Sequence, residues 1–235
     1  MADSPSTRFS LLVGLILVAA AGFGPLAAQP TTRQEFRTTF SVEKANLTDR
    51  GTNTYFILEP GYRLHFRNGT DTLVITVLDE TRVVDGVTTR IVEERETEGG
   101  QLAEVSRNFF AIDKTIGDVY YFGEEVDEYK NGKITGHGGA WLSGVGGARF
   151  GLMMPGSAKV GERYYQEMAP KVAMDRAEVV SVTAQMTVPA GSYRNCLRVK
   201  ESSAIERGSE DKWHAPGVGL IKDAGFELVK VERGR

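Results

Sequence analysis

The chain is patterned mainly with a period of two, which is typical of β-strands. Apolar residues at positions 180, 182, 184, 186 and 188 alternate with polar residues at 181, 183, 185 and 187. Such alternation places the apolar set on one face of a strand and the polar set on the other. Residues 73–78 are apolar on both faces except at Thr76, which predicts a central strand covered on both sides.

Turn signals separate these strand-like segments at short intervals. Asn-Gly occurs at 68–69 and 131–132, Asp-Gly at 85–86 and Gly-Gly at 99–100, and such pairs favour two-residue hairpin turns. Few segments show helical periodicity. We therefore predict a mainly β domain over residues 52–235, either a single curved antiparallel sheet or half-barrel or a β-sandwich, built of hairpins. Helix should account for less than about 15% of it, well under the usual share.

Glycines surround large apolar residues in the segment 136–167. This composition suits neither a helix nor a regular strand, and indicates a backbone that bends sharply and passes close to something else. We expect Trp141 to be largely buried, with glycine pairs at 138–139 and 146–147 letting the main chain approach a packed surface. The candidate ligand-binding residues of this segment are six large apolar side chains and one histidine: Trp141, Phe150, Met153, Met154, Tyr164, Tyr165 and His137. The alternative is that the apolar members form a plain hydrophobic core.

Residues 1–28 have the pattern of a secretory signal. Arg8 precedes an uncharged apolar run over 11–23, and small residues end at Ala28. We predict cleavage before Gln29 and export to the periplasm or the medium. The alternative is an uncleaved N-terminal anchor, which would be the only contact with a membrane. The polar residues 29–51 predict a linker or a loose first strand.

Charge and cysteine content narrow the function classes. The net charge is −3, from 28 basic and 31 acidic residues, which provides no electrostatic footprint for nucleic acid. A single cysteine, Cys196, excludes an internal disulfide. Its alternation with Arg194 and Arg198 would place it on an outward face, although a half-buried thiol is the more common arrangement. The three histidines fit no zinc spacing, and we predict no metal and no cofactor.

No nucleophile-and-base arrangement is visible along the chain. Ser143 lacks a nucleophile elbow, and the glycine-rich GVGGARFG lacks the lysine of a phosphate-binding loop. We therefore favour a non-enzymatic cell-envelope or secreted domain that binds an apolar small molecule or an envelope protein. The alternative is an extracytoplasmic hydrolase whose acidic residues come together only in the fold.

Two segments near the C-terminus, TVPAGSYRNCLRVKE and WHAPGVGLIK, resemble a broad set of exported bacterial domains of unknown function. Members of that set show a VPAG hairpin followed by an APGVGL strand. The stretch from YFGEEVDEYKNGK to GARFGLMMPGSAKVGERYYQE is similar to the middle of the same set. The resemblance implies a curved antiparallel sheet, similar to the half-barrels of the LolA type that shelter lipid. These motifs are turn chemistry, so the resemblance implies a fold more than an activity.

Overall fold

The computed structural model describes residues 35–234. The predicted signal sequence over residues 1–28, and with it the predicted cleavage before Gln29, lies outside this range. Strands account for 65% of the structure and helix for 2%. The prediction of a mainly β protein with little helix is therefore confirmed.

The described residues form one short 3-10 helix, Lys44–Asn46, and eighteen strands. The first nine strands are β1 (Leu47–Thr48), β2 (Gly51–Asn53), β3 (Phe56–Leu58), β4 (Arg63–Asn68), β5 (Asp71–Val84), β6 (Val87–Glu98), β7 (Gln101–Asp113), β8 (Val119–Lys130) and β9 (Lys133–Gly136). The other nine are β10 (Trp141–Leu142), β11 (Arg149–Met154), β12 (Arg163–Tyr165), β13 (Glu167–Met168), β14 (Asp175–Val188), β15 (Gly191–Ser203), β16 (Glu210–Ala215), β17 (Gly219–Asp223) and β18 (Phe226–Glu232). Within the described range, no helix is long and apolar enough to cross a membrane.

One antiparallel sheet contains sixteen of the strands that the structure describes. Its order is β12-β14-β15-β16-β17-β18-β4-β5-β6-β7-β8-β11-β13, with β1 paired to β7 and both β9 and β10 paired to β8. The remaining strands, β2 and β3, form a separate hairpin. The two ends of the order, β12 and β13, are separated along the chain by Gln166 alone. The sheet is therefore nearly closed as a barrel.

The sheet closes at a seam, where β11 meets the segment that runs from β12 to β13. Close backbone contact at this seam depends on a glycine. A Cβ on Gly151 of β11 would lie 2.3 Å from the carbonyl oxygen of Gln166. Only glycine therefore allows these two backbone segments to approach each other so closely. The expectation that the glycine-rich segment passes close to other backbone is confirmed here. It is wrong for Gly146 and Gly147, which have open space around them and instead take φ values of 60° and 84°. Those two glycines form a turn that needs the left-handed backbone.

Three of the four predicted hairpin turns are confirmed, and the fourth is displaced by one residue, because Asn68 pairs with Asp71 and the turn is Gly69-Thr70. Asp85 and Gly86 have φ values of 48° and 73°, and Asn131 and Gly132 have 54° and 73°. Positive φ at both central residues is the signature of the turn whose twist matches that of the flanking strands. These turns join β5 to β6 and β8 to β9.

Bulges interrupt the alternation that the sequence shows. In β14 the pairing register shifts between Val179 and Ser181. Val179 is therefore the buried residue, and the prediction that the side chain of Val180 faces the core is wrong. In β15, Asn195 takes a φ of 54°, and the next two residues, Cys196 and Leu197, are both fully buried. The outward position expected for Cys196 is wrong because an extra residue in a bulge moves the following side chain to the other face.

Trp141 belongs to the hydrophobic core, with 6% of its surface exposed. Its ring packs edge-to-face on Tyr121, with the centroids 5.4 Å apart, a favourable aromatic geometry. The expectation that Trp141 is largely buried is confirmed.

Candidate ligand-binding site

A cavity of about 170 Å³ lies inside the barrel. Part of its wall is apolar and includes Tyr62, Leu64, Ile75, Val92, Phe110 and Leu220. These side chains come from strands β4, β5, β6, β7 and β17 and from the turn before β4, so the cavity is part of the sheet's concave interior. A cavity of about 150 Å³ lined by apolar side chains is large enough to hold benzene. This one therefore has room for a ligand about the size of one ring with a short arm.

The apolar wall of the cavity is followed along β6 by a polar wall, because the strand register places an acid next to an apolar residue on the same face. Val92 of β6 pairs with Val77 of β5, and Glu94, two residues further on, pairs with Ile75. Residues two apart lie on the same face of a strand, so Val92 and Glu94 both point into the barrel. Both line the cavity. The carboxylate is thus placed inside by the same alternation that builds the core.

The polar wall is dominated by acids. Among the described residues, the cavity lining includes five carboxyl groups against one lysine, Lys212: Glu94, Glu167, Asp175, Glu201 and Asp223. These acids lie on five strands, β6, β13, β14, β15 and β17. Because a buried acid is costly without a partner, the pairing of each one decides the character of the site.

Lys212 neutralises one side of this cluster. Its Nζ lies 2.9 Å from Glu201, 3.2 Å from Asp223 and 3.9 Å from Glu210. Burial acts to lower the pKa of Lys212, but the carboxylates of Asp223, Glu201 and Glu210 outweigh it and hold that pKa well above its usual value. Lys212 is therefore charged at all physiological pH values, and its pairs are fixed across β15, β16 and β17.

The two lining acids Glu94 and Glu167, which form no ion pair with Lys212, have raised pKa values. Burial, followed by the charges of Asp223 and Glu104 against the opposing effect of Lys212, raises the pKa of Glu94 to about 7. The pKa of Glu167 is raised well above its usual range by burial and by Glu124. Glu94 is half-buried and lines the cavity, and burial disfavours the charged form of its carboxyl group.

One further acid, Glu124, extends the acidic cluster behind the lining. Burial, and next the charge of Glu94, raises the pKa of Glu124 on β8 to about 8. Trp141 donates a hydrogen bond from Nε1 to Glu167 Oε2 at 3.0 Å, which holds that carboxyl group in place. Asp175 of β14 has a raised pKa as well, first through burial. The carboxyl groups are therefore held by a rigid frame of strands rather than by loops.

Two buried side chains in the wall have unused hydrogen-bond acceptors. Gln166, 4% exposed, donates its amide to Glu201 at 2.7 Å, which leaves Oε1 without a partner. His214, 8% exposed, donates to the main chain of Tyr55, and its Nδ1 has no partner. Burial and the charge of Lys212 lower the pKa of His214 to about 4, so the ring is neutral and Nδ1 is an acceptor. Buried polar atoms normally find partners.

The structure brings few of the sequence-predicted site residues to this cavity. Met153 lines it, and Trp141 touches its wall only through Glu167. Met154 and Tyr164 are buried in the surrounding hydrophobic core. The candidate group is therefore divided between the cavity and the core.

The other three candidates lie elsewhere. Phe150 stacks on Phe122, with centroids 5.0 Å apart, and Tyr165 packs edge-to-face on Phe36. His137 has a side chain that is 66% exposed and lies 3.1 Å from Asp127. Its Nδ1 also lies 2.7 Å from the carbonyl oxygen of Val126. His137 therefore makes its contacts on the surface of the β8–β9 hairpin.

Sequence reasoning missed the acids and Lys212 that define the polar wall. One signal was present: Glu94 has the same strand phase as Val92, so it interrupts an apolar face. Lys212 gave no such signal, because it precedes Trp213 in a short strand whose phase could not be set from the sequence. Closure of the sheet, which brings β6 opposite the seam, determines which charged residues meet.

Comparison of the chain with protein-family models, with curated proteins and with solved structures gives no match. Fold and site together define a class: a β protein with a nearly closed barrel and an interior cavity that is apolar on one side and acidic on the other. A fold alone does not determine a function, so the function has to be argued from this cavity.

Proposed function

We propose that this chain is an exported, non-enzymatic domain that binds a small molecule inside its barrel. The observation that carries the proposal is the cavity of about 170 Å³ with an apolar wall and a few fixed polar groups. Concave sites of this composition, formed on a rigid frame, are the usual form of a small-molecule site. An interior site favours a small ligand over an envelope protein as the partner.

Titration with 2-phenylethanol tests this function. We expect the compound to shift the methyl NMR signal of Met153, which lines the cavity, with the signal assigned by Met153→Leu. Leu220→Trp would fill the cavity and should abolish the shift. Val83→Trp adds the same side chain at an exposed position and should leave it unchanged. Equal shifts in both tryptophan variants would contradict binding inside the barrel.

Export is the second part of the proposal and rests on the pattern of residues 1–28. The mass of the protein isolated from its host should correspond to a chain that begins at Gln29. Recovery of chains that retain Met1 from the membrane fraction would instead support the uncleaved anchor.

A hydrolase is the second candidate, and one observation favours it. The fold assembles acids that lie far apart in sequence, and burial raises the pKa of Glu94, which lines the cavity, to about 7, within the range that a general acid requires. Among the described residues, those lining the cavity include no serine, threonine or cysteine, so a carboxyl group would have to act alone or with water. Turnover of 4-nitrophenyl glycosides or esters that Glu94→Gln abolishes, and Glu80→Gln does not, would favour this candidate.

A further inference from the structure

We infer that the ligand of the cavity is a small cationic amphiphile, an alkyl- or arylalkyl-ammonium whose charged nitrogen lies against the acidic wall and whose apolar body lies against Ile75, Val92 and Leu220. This inference rests on the proposed binding function and specifies the chemistry of its ligand.

Charge is the first step. Five carboxyl groups line the cavity and one lysine opposes them. Lys212 makes its ion pairs with Glu201 and Asp223, which lie on the flanking strands β15 and β17. The acids on the other side, Glu94 and Glu167, have no ion pair with Lys212. A monovalent cation placed beside them would favour the ionised form of both carboxyl groups and would supply a counter-charge that the ion pairs of Lys212 do not.

Hydrogen-bond chemistry is an independent second step. The unpartnered atoms of Gln166 and His214 are both acceptors, as shown above. Neither side chain can satisfy the other, since an acceptor requires a donor. A ligand that satisfies both must carry N–H or O–H groups. An ammonium group carries three donors and a positive charge. A single group can therefore pair with the carboxyl groups and also donate hydrogen bonds to the two unpartnered acceptors.

Shape is the third step. Two strands carry both kinds of lining residue: Val92 and Glu94 are adjacent on one face of β6, and Leu220 and Asp223 both belong to β17. A ligand that reaches the carboxyl groups therefore also touches the apolar wall. The volume of about 170 Å³ limits that body to about one ring or a short chain.

Three probes of matched shape test the inference at pH 8: 2-phenylethylammonium, 2-phenylethanol and 3-phenylpropionate. Binding is measured from the Met153 methyl signal. We expect the cation to bind at least about tenfold more tightly than the alcohol, because hydrogen bonds to charged groups are stronger than neutral ones. The carboxylate probe should bind more weakly than both.

Two isosteric variants locate the effect. Glu94→Gln should reduce the preference for the cation over the alcohol by about threefold or more, because it removes one uncompensated charge. Glu80→Gln removes an acid from the exposed part of β5 and should leave the preference unchanged. Circular dichroism and a urea melt of each variant verify that it is folded.

The outcomes separate the two proposals. Equal binding of the cation and the alcohol, with both shifting Met153, would overturn the cationic ligand and retain the binding function. Stronger binding of 3-phenylpropionate, or of calcium in place of any organic cation, would do the same. Failure of all three organic probes to shift Met153 would overturn both.

Discussion

Glu94→Gln should stabilise the protein at neutral and alkaline pH, although it removes a side chain from the candidate site. Burial is the main reason that the pKa of Glu94 is raised from 4.5 to about 7. The charged groups that face Glu94 act in both directions: Lys212 lowers this pKa, and Asp223, Glu104 and Glu96 raise it. The folded protein therefore holds the proton on Glu94 at pH values where the unfolded chain has lost it.

The magnitude follows from the difference of about 2.5 between the two pKa values. Each pKa unit corresponds to about 1.36 kcal/mol, so ionised Glu94 destabilises the fold by about 3 kcal/mol. The stability contributed by the protonated form is fully present below pH 4.5. It is lost as the pH rises from 4.5 through about 7, and the loss is complete above that. Glutamine does not ionise, so the variant avoids the loss.

Urea unfolding at pH 4.5, 6, 7 and 8 measures this difference. With a urea dependence of about 2–3 kcal/mol/M, the midpoint of Glu94→Gln should exceed that of the wild type by about 1 M at pH 8. The two proteins should nearly coincide at pH 4.5. Glu80→Gln should match the wild type within about 0.5 kcal/mol at every pH. A difference that does not change with pH, or a variant less stable than the wild type at pH 8, would refute the reasoning.

Three other substitutions probe the frame that holds the site, each measured by urea unfolding at pH 7. Trp141→Ala should cost about 3–5 kcal/mol, the usual range for a buried aromatic side chain; an unchanged midpoint would remove Trp141 from the core. Gly151→Ala places a Cβ 2.3 Å from the carbonyl oxygen of Gln166 and should cost about 1–3 kcal/mol, whereas a neutral effect would mean that the seam can widen. Lys212→Met leaves its acidic partners unpaired and should cost about 3–5 kcal/mol. The matched change Lys222→Met breaks a more exposed pair and should cost less than about 1 kcal/mol; equal losses would contradict the role of Lys212.

The fold class was predictable because its signals are local. Turn pairs such as Asp85-Gly86 require positive φ at both positions, and the structure has φ values of 48° and 73° there. Alternation between turns then defines the strands. What the sequence does not show is how the strand phase changes at a bulge. Asn195 is an ordinary polar residue in the sequence, yet its left-handed backbone moves Cys196 into the core.

The candidate site was only partly predictable because its members are distant in sequence. Glu94, Glu167 and Lys212 belong to three strands that meet only when β12 and β13 bring the edges of the sheet together. No local pattern specifies that closure. The glycine-rich segment did indicate an unusual backbone, and Gly151 does allow the close backbone contact at the seam. The apolar side chains around that glycine, such as Met154 and Tyr164, mostly complete the core instead.

The energetic character of the barrel interior is a further reason, beside the cavity itself, to treat it as a functional site. A domain has a total stability of about 5–15 kcal/mol, and ionised Glu94 alone removes about 3 kcal/mol of it by the pKa difference above. Leucine or methionine at such a position would fill the interior without that cost. Groups held at an energetic disadvantage concentrate where a protein binds or reacts. A cation bound beside Glu94 would reverse the sign of the effect, since it lowers the pKa of the carboxyl group and stabilises the charged form. The substitution that most stabilises the free protein should therefore be the one that most weakens its hold on an ammonium ligand.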